Sequence, residues 1–219
     1  SKQLLEGYGL TVPIQAISNG IDLEKYRPDP IKELKLREHF QLSENQKVII
    51  CVGLFFARKG IIDFVDIAKK MPEYTFIWFG HVPMYSIPKN IRKIVKEDHP
   101  DNVIFPGYIS GKIIEGAYSG ADLFFFPSYE ETEGIVVLEA LASKQNVLVR
   151  DIPVYNGWLE DRKNCYMGNT NDEFCEMIKS IIEEEVPSLV EAGYQIAQER
   201  SIEKIGEQLR NVYLQVLDE

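Results

Sequence analysis

The sequence predicts an α/β fold, a doubly wound parallel sheet of the Rossmann-like kind followed by C-terminal helices. Three observations carry this. Short runs rich in β-branched and aromatic residues recur along the first two thirds of the chain. They are apolar almost throughout, as strands covered on both faces are. Most gaps between them are long enough for a helix, and several show helical periodicity.

The runs are 47–54 (KVIICVGL), 75–79 (TFIWF), 102–105 (NVIF), 121–127 (ADLFFFP) and 146–150 (NVLVR). Helical spacing of apolar residues marks 60–70, 87–96 and 134–142. Strand–helix–strand alternation at this period implies right-handed crossovers. Beyond Trp158 the pattern turns helical over 172–185 and 188–199, broken at Pro187. In 201–217, Ile202, Ile205, Leu209, Val212, Tyr213 and Val216 form one stripe, expected to dock on an apolar surface. Residues 1–8 read as a helix end, 13–18 as extended and 18–22 as a turn, while 26–30 (YRPDP) reads as a linker.

Composition removes several function classes. Of 219 residues, 45% are hydrophobic and 26% charged, enough for a real core. The formal net charge of −10 argues against nonspecific nucleic-acid binding. Cys51, Cys165 and Cys175 lack metal-ligand spacing and read as reduced structural thiols of a cytosolic protein. His39, His81 and His99 are scattered and read as ordinary surface or locally bonded histidines. No apolar run reaches the length of a membrane span, and no secretory leader is visible.

Three segments are candidates for chemistry. The first is 53–60 (GLFFARKG), which begins at Gly53, follows a strand and opens a helix. Helix N-termini at the carboxyl ends of parallel strands attract anions, and Arg58 and Lys59 add charge there. A solvated cation pair explains the same residues equally well.

The second is 127–140 (PSYEETEGIVVLEA). Glu139 sits in an otherwise apolar helix, so as an ionised group it needs donors. A vicinal diol such as a ribose supplies two, and a neighbouring Lys or Arg is the alternative. Glu131 lies at the loop rim, although Ser128-x-x-Glu131 also fits a capping box. Between the two carboxylates, a helix start at Gly134, Ile135 and Val136 offers free N–H groups. The third is 105–109 (FPGYI), where Gly107 lets backbone approach a planar ring and Ile109 follows; an ordinary turn reads the same way.

In this order and spacing, SNGID at 18–22, VGLFFARKG at 52–60, VIFPGYI at 103–109 and PSYEETEGIVVLEALA at 127–142 resemble the C-terminal, donor-binding domain of retaining family 4 glycosyltransferases with GT-B architecture. The resemblance spans nearly the whole chain, and its paired glutamates fall at Glu131 and Glu139. It implies a nucleotide-sugar site. Glu139 would hold the ribose and Glu131 the hydroxyls of the donor sugar. Lys59 would hold the diphosphate with N–H groups near Gly134, Ile135 and Val136, and the Ile109 region would contact the base. It implies no metal, in keeping with the absence of a D-x-D motif, and no cofactor beyond the donor itself.

The resemblance also implies a division of the chain. Residues 1–18 would be the tail of an N-terminal acceptor domain and its linker, 19–200 the donor-binding domain, and 201–219 a C-terminal helix. Two departures stand out. The family's Arg after the first glycine is Leu54 here, with Arg58 the candidate substitute. The usual E-G-F-G is Glu131-Thr132-Glu133-Gly134, which is expected to set Glu133 as a further carboxylate beside the donor pocket.

More narrowly, 58–60 (RKG), the Trp78 strand and 130–134 (EETEG) are similar to diglycosyl-diacylglycerol synthases of Gram-positive cocci. The expectation is therefore a retaining hexosyltransferase using UDP-glucose or UDP-galactose. Its acceptor would be a diacylglycerol glycolipid such as glucosyl-diacylglycerol, met at the inner face of the cell membrane and bound mainly by the other domain. The basic residues Lys89, Arg92, Lys93 and Lys96 alternate with apolar ones, a pattern that fits a helix near anionic lipid and equally a surface helix of an α/β domain, the favoured reading. A glycan acceptor, a sugar-nucleotide epimerase and a non-catalytic nucleotide-binding module are the rival readings.

Overall fold

The computed structural model describes residues 2–10 and 12–217. The chain runs through α1 (Lys2–Gly7), α2 (Leu23–Tyr26), α3 (Pro30–Phe40), β1 (Val48–Val52), α4 (Ile61–Lys70), β2 (Thr75–Phe79), α5 (Lys89–Lys96) and β3 (Val103–Gly107). It continues through α6 (Lys112–Gly120), β4 (Leu123–Phe126), α7 (Ile135–Ala142), β5 (Val147–Arg150), β6 (Tyr166–Gly168), α8 (Asn171–Ile182), α9 (Val190–Glu199) and α10 (Ile202–Leu217).

The strands form one six-stranded sheet in the order β3-β2-β1-β4-β5-β6, and every pair is parallel. The expected doubly wound sheet is therefore the observed one. Strand order reverses between β1 and β4, which opens a crevice at the carboxyl ends of those strands. β2 and β4 are buried along their whole length, as strands covered on both faces must be. Phe64 of α4 joins the covering layer to the sheet, packing edge-on against Phe76 and Trp78 at 5.4 and 5.1 Å between centroids.

The five strands expected from sequence are all present, within a residue or two at their ends. The three-residue β6 carries too little pattern to be read in advance. The 26–30 linker reading holds for 27–29, which join two helices, and is corrected at its ends, where Tyr26 closes α2 and Pro30 opens α3. Asp22 caps α2 by accepting the Lys25 N–H at 2.9 Å, and Asp29 caps α3 with Pro30 at its first position. Tyr26 is a buried residue at the end of α2.

The stripe on α10 is also corrected. Ile205 is buried and Val212 half-buried, but Ile202, Leu209, Tyr213 and Val216 are exposed. The start of the helix is covered where Ile21 bridges Ser201 and Gly20 lies against Ile202 and Ile205. As expected, α5 is a surface helix, burying Ile91 and leaving Lys89, Lys93 and Lys96 exposed. Ser1, Thr11 and residues 218–219, parts of the expected tail and C-terminal helix, lie outside the described residues.

Candidate active site

A cleft of about 520 Å³ opens at the carboxyl ends of the central strands. Strand ends supply much of the wall, and α2, α6 and α7 supply more of it. Gly53 and Leu54 follow β1, Gly80 and His81 follow β2, Tyr108 and Ile109 follow β3, and Phe126 ends β4. Arg58, Lys59, Glu131 and Glu139, well separated along the chain, line the same cavity.

The segment after β1 forms a short 3₁₀ turn, Ala57–Lys59, closed by Gly60 at φ 80°. This glycine is required twice over. Its backbone is left-handed, and a Cβ there would collide with the Pro127 carbonyl at the end of β4. The close approach ties the cationic turn to the loop carrying Glu131. Tyr129 donates its N–H to the Arg58 carbonyl at 2.8 Å, and the Ser128 hydroxyl donates to the carbonyls of Arg58 and Glu130.

Lys59 is not a solvated cation. Its ammonium donates to Glu131 Oε1 at 2.5 Å, with side chains 14% and 8% exposed. The capping-box reading of Ser128 and Glu131 is thereby set aside. The hydroxyl of Ser128 is spent on carbonyls, and the helix begins only at Ile135, after Gly134 at φ 86°. Ile135 and Val136, the first residues of α7, line the cleft, and the opening N–H groups of a helix have no intrahelical acceptor. With the macrodipole they favour an anion. Arg58 lies over the Phe56 ring at 5.8 Å and donates to the Glu130 carbonyl at 3.4 Å, so its charge stands at the same mouth as Leu54.

Glu139 finds its donors in neither Lys nor Arg. The Tyr26 hydroxyl donates to Oε1 at 2.5 Å and the Tyr118 hydroxyl donates to Oε2. Both phenol pKa values are raised, first by burial and then by the adjacent carboxylate. They therefore remain protonated donors at neutral pH. Sequence spacing gave no signal for them, because Tyr26 and Tyr118 lie 113 and 21 positions from Glu139. His81, read from the sequence as an ordinary histidine, also lines the cleft just after β2, and Tyr108 lines it within the 105–109 segment singled out from the sequence.

Three expected site residues do not themselves line this cleft. Glu133 does not line this cleft; its carboxylate accepts from the Ser18 hydroxyl, the Asn19 side chain and the Asn19 N–H, the last at 3.1 Å. Ser18 and Asn19 satisfy it outside the cleft, where the three residues border a separate hollow. Gly134 and Gly107 are not among the lining residues. Gly134 sits under Tyr155 and fixes the start of α7, while Gly107 ends β3 and accepts the Gly80 N–H at 3.0 Å.

Among the described residues there is no cluster of three or more His, Cys, Asp or Glu side chains arranged to hold a metal ion. No helix among them is long and apolar enough to cross a membrane.

A parallel doubly wound sheet with cations, helix N–H groups and two carboxylates around one strand-end cleft defines a Rossmann-like α/β domain with a ligand-sized crevice at its topological switch point. Within that class, the chain belongs to the glycosyl transferases group 1 family, whose model matches residues 32–200. It is 50% identical over 218 residues to a processive diacylglycerol alpha-glucosyltransferase of Acholeplasma laidlawii, covering 99% of this chain and 65% of that protein. It is 32% identical over 202 residues to an alpha-galactosylglucosyldiacylglycerol synthase of Streptococcus pneumoniae, covering 90% and 53%. The chain thus spans less than two thirds of the length of either relative. Anabaena HepE, solved in complex with UDP-glucose, shares the fold at a TM-score of 0.80 and 20% identity, over 92% of this chain and 57% of that one. This likeness extends the GT-B expectation from sequence to backbone.

Proposed function

We propose that this chain is the donor-binding half of a retaining hexosyltransferase that moves a hexose from a UDP-sugar to a diacylglycerol glycolipid. The observation that carries the reading is the convergence of Lys59, Glu131 and Glu139 on one cleft. The relatives named for diacylglycerol glycosylation support the acceptor class, and the UDP-glucose complex of HepE supports the donor class. Glucose is the first donor to test, since the relative at 50% identity is named a glucosyltransferase and the one at 32% is named for galactose.

In this reading Glu139 accepts the ribose hydroxyls, and Ile109 with Tyr108 borders the base. Lys59, Arg58 and the N–H groups of Ile135 and Val136 meet the diphosphate. As the glycosidic bond to the leaving group breaks, negative charge grows on the β-phosphate. Donors already in place stabilise that charge without reorganising. Glu131, held by Lys59, orients the sugar ring through its hydroxyls. No metal takes part, because the protein's own cations do the neutralising.

In this reading residues 1–18 lead from an acceptor domain, 19–200 hold the donor, and the terminal unit 201–219 contains the helix Ile202–Leu217. The full-length protein works at the inner face of the membrane, where its lipid acceptor lies.

The test is transfer by the full-length protein from radiolabelled UDP-glucose or UDP-galactose to vesicles containing glucosyl-diacylglycerol, with and without EDTA. Label should enter the lipid fraction from one donor, undiminished by the chelator. Binding of UDP-sugars without transfer to any lipid or glycan would leave a nucleotide-binding module instead.

A further inference from the structure

Glu139 is held in an unusual way for a carboxylate in an apolar helix. Its two oxygens are each taken by a different phenol, Tyr26 from α2 and Tyr118 from α6. An ionised carboxylate has about four acceptor positions, so one donor on each oxygen leaves each oxygen free to accept again. A lysine or arginine there would cancel the charge; two neutral phenols support it while leaving it negative. Glu139 is partly exposed and lines the cleft, so its remaining acceptor positions are open to whatever occupies that cleft.

The phenols are themselves fixed. Their rings meet edge to face at 5.7 Å, Tyr118 packs on Phe124 at 5.6 Å, and the Lys25 ammonium lies 4.8 Å over the Tyr26 ring. Tyr118 is 1% exposed and Tyr26 9%, so neither has much room to swing away.

We propose that Tyr26 and Tyr118 are positioning residues that aim one oxygen of Glu139 at each hydroxyl of a vicinal diol, making the site selective for ribose over deoxyribose. The proposal rests on the reading of Glu139 as the ribose acceptor. A carboxylate free to rotate would satisfy one hydroxyl at a time and lose the distinction. One held from behind at both oxygens loses a full hydrogen bond when either hydroxyl is missing. A site built to bond a hydroxyl rejects the analogue lacking it strongly.

The experiment is calorimetric titration of the full-length protein with UDP, 2′-deoxy-UDP and 3′-deoxy-UDP, comparing wild type, Tyr26→Phe, Tyr118→Phe and Glu139→Ala. Wild type is expected to prefer UDP over at least one deoxy analogue by about tenfold or more. Each Tyr→Phe change, which keeps the ring, should shrink that preference about threefold or more. Affinity for the deoxy analogue itself should stay nearly unchanged.

If both tyrosine variants keep the wild-type preference while Glu139→Ala abolishes it, the positioning role is overturned and the ribose reading survives. Equal weakening of all three ligands by the tyrosine changes also overturns it, since that marks a merely structural role. If wild type shows no preference, or Glu139→Ala retains it, the ribose reading itself falls and the proposal with it. Circular dichroism checks folding, and should Tyr118→Phe not fold, Tyr26→Phe decides alone.

Discussion

Lys59 Nζ and Glu131 Oε1 stand 2.5 Å apart in an ion pair that is 14% and 8% exposed, at the meeting point of two loops 72 residues apart in sequence. The two groups proposed to hold the diphosphate and the sugar therefore neutralise each other before any ligand arrives. Removing either one leaves the other buried without a partner, which costs about 3–5 kcal/mol in comparable pairs.

Lys59→Met and Glu131→Met should each lower the unfolding free energy by an amount of that order, while the double variant regains most of it. Urea denaturation of the four proteins measures the cycle. Turnover should fall by about tenfold or more in each single variant, and the double variant should be little worse than the poorer single, as for groups acting as a unit. Near-normal turnover in both singles would remove their proposed roles.

Arg150 holds the loop carrying Glu131 from beneath. It pairs with Asp63 at 2.8 Å, donates to the Pro127 carbonyl at 3.1 Å and to the Asn169 carbonyl, and lies 3.9 Å from the Tyr129 ring centroid. Arg150→Met strands a mostly buried Asp63 and should cost about 3–5 kcal/mol by urea titration. Arg150→Lys should recover only part of this, because an ammonium cannot reach three acceptors in the guanidinium plane. UDP affinity should weaken in both variants.

The start of α8 supplies a pH test. Glu173 accepts the N–H groups of Asn169 and Thr170 at 2.6 and 3.2 Å, and these bonds hold its carboxyl below the usual glutamate range. A depressed folded value means stabilisation that is complete above the unfolded value and lost as pH falls through the folded one. The stability gap between wild type and Glu173→Gln should therefore be widest at neutral pH. It should close as pH drops through and below about 4.3. A gap unchanged by acid would show that the charge contributes nothing.

The three thiols should separate by reactivity. Burial pushes Cys165 up to about 12 and Cys51 well above the ordinary thiol range, and both are buried. Cys175 is also raised by burial but is partly accessible. Mass spectrometry after brief maleimide treatment of the native protein at neutral pH should find Cys175 modified first. Cys51 and Cys165 should follow only in denaturant.

The strands and the order of the site motifs were legible in the sequence because a strand covered on both faces must be apolar at every position. The Gly134 helix start was visible for a similar local reason, a glycine before an unbroken apolar run. Glu133 misled because sequence distance to Glu131 says nothing about which side of the loop a side chain takes; Ser18 and Asn19 settle that from 114 or 115 residues away. The α10 stripe misled because periodicity reports a sticky face and not what covers it.

By itself the sequence determined that a parallel α/β sheet would form, that Lys59 and Glu131 would follow strand ends, and that Glu139 would sit within the apolar helix opening at Gly134. Those outcomes follow from hydrophobic periodicity and local backbone chemistry. Only the tertiary structure decided which charges meet. Lys59 goes to Glu131, Arg150 to Asp63, and Glu139 to two phenols instead of a cation. A carboxylate needs a donor within bonding distance, and which donor lies that near is set by how the crossovers bring remote segments together.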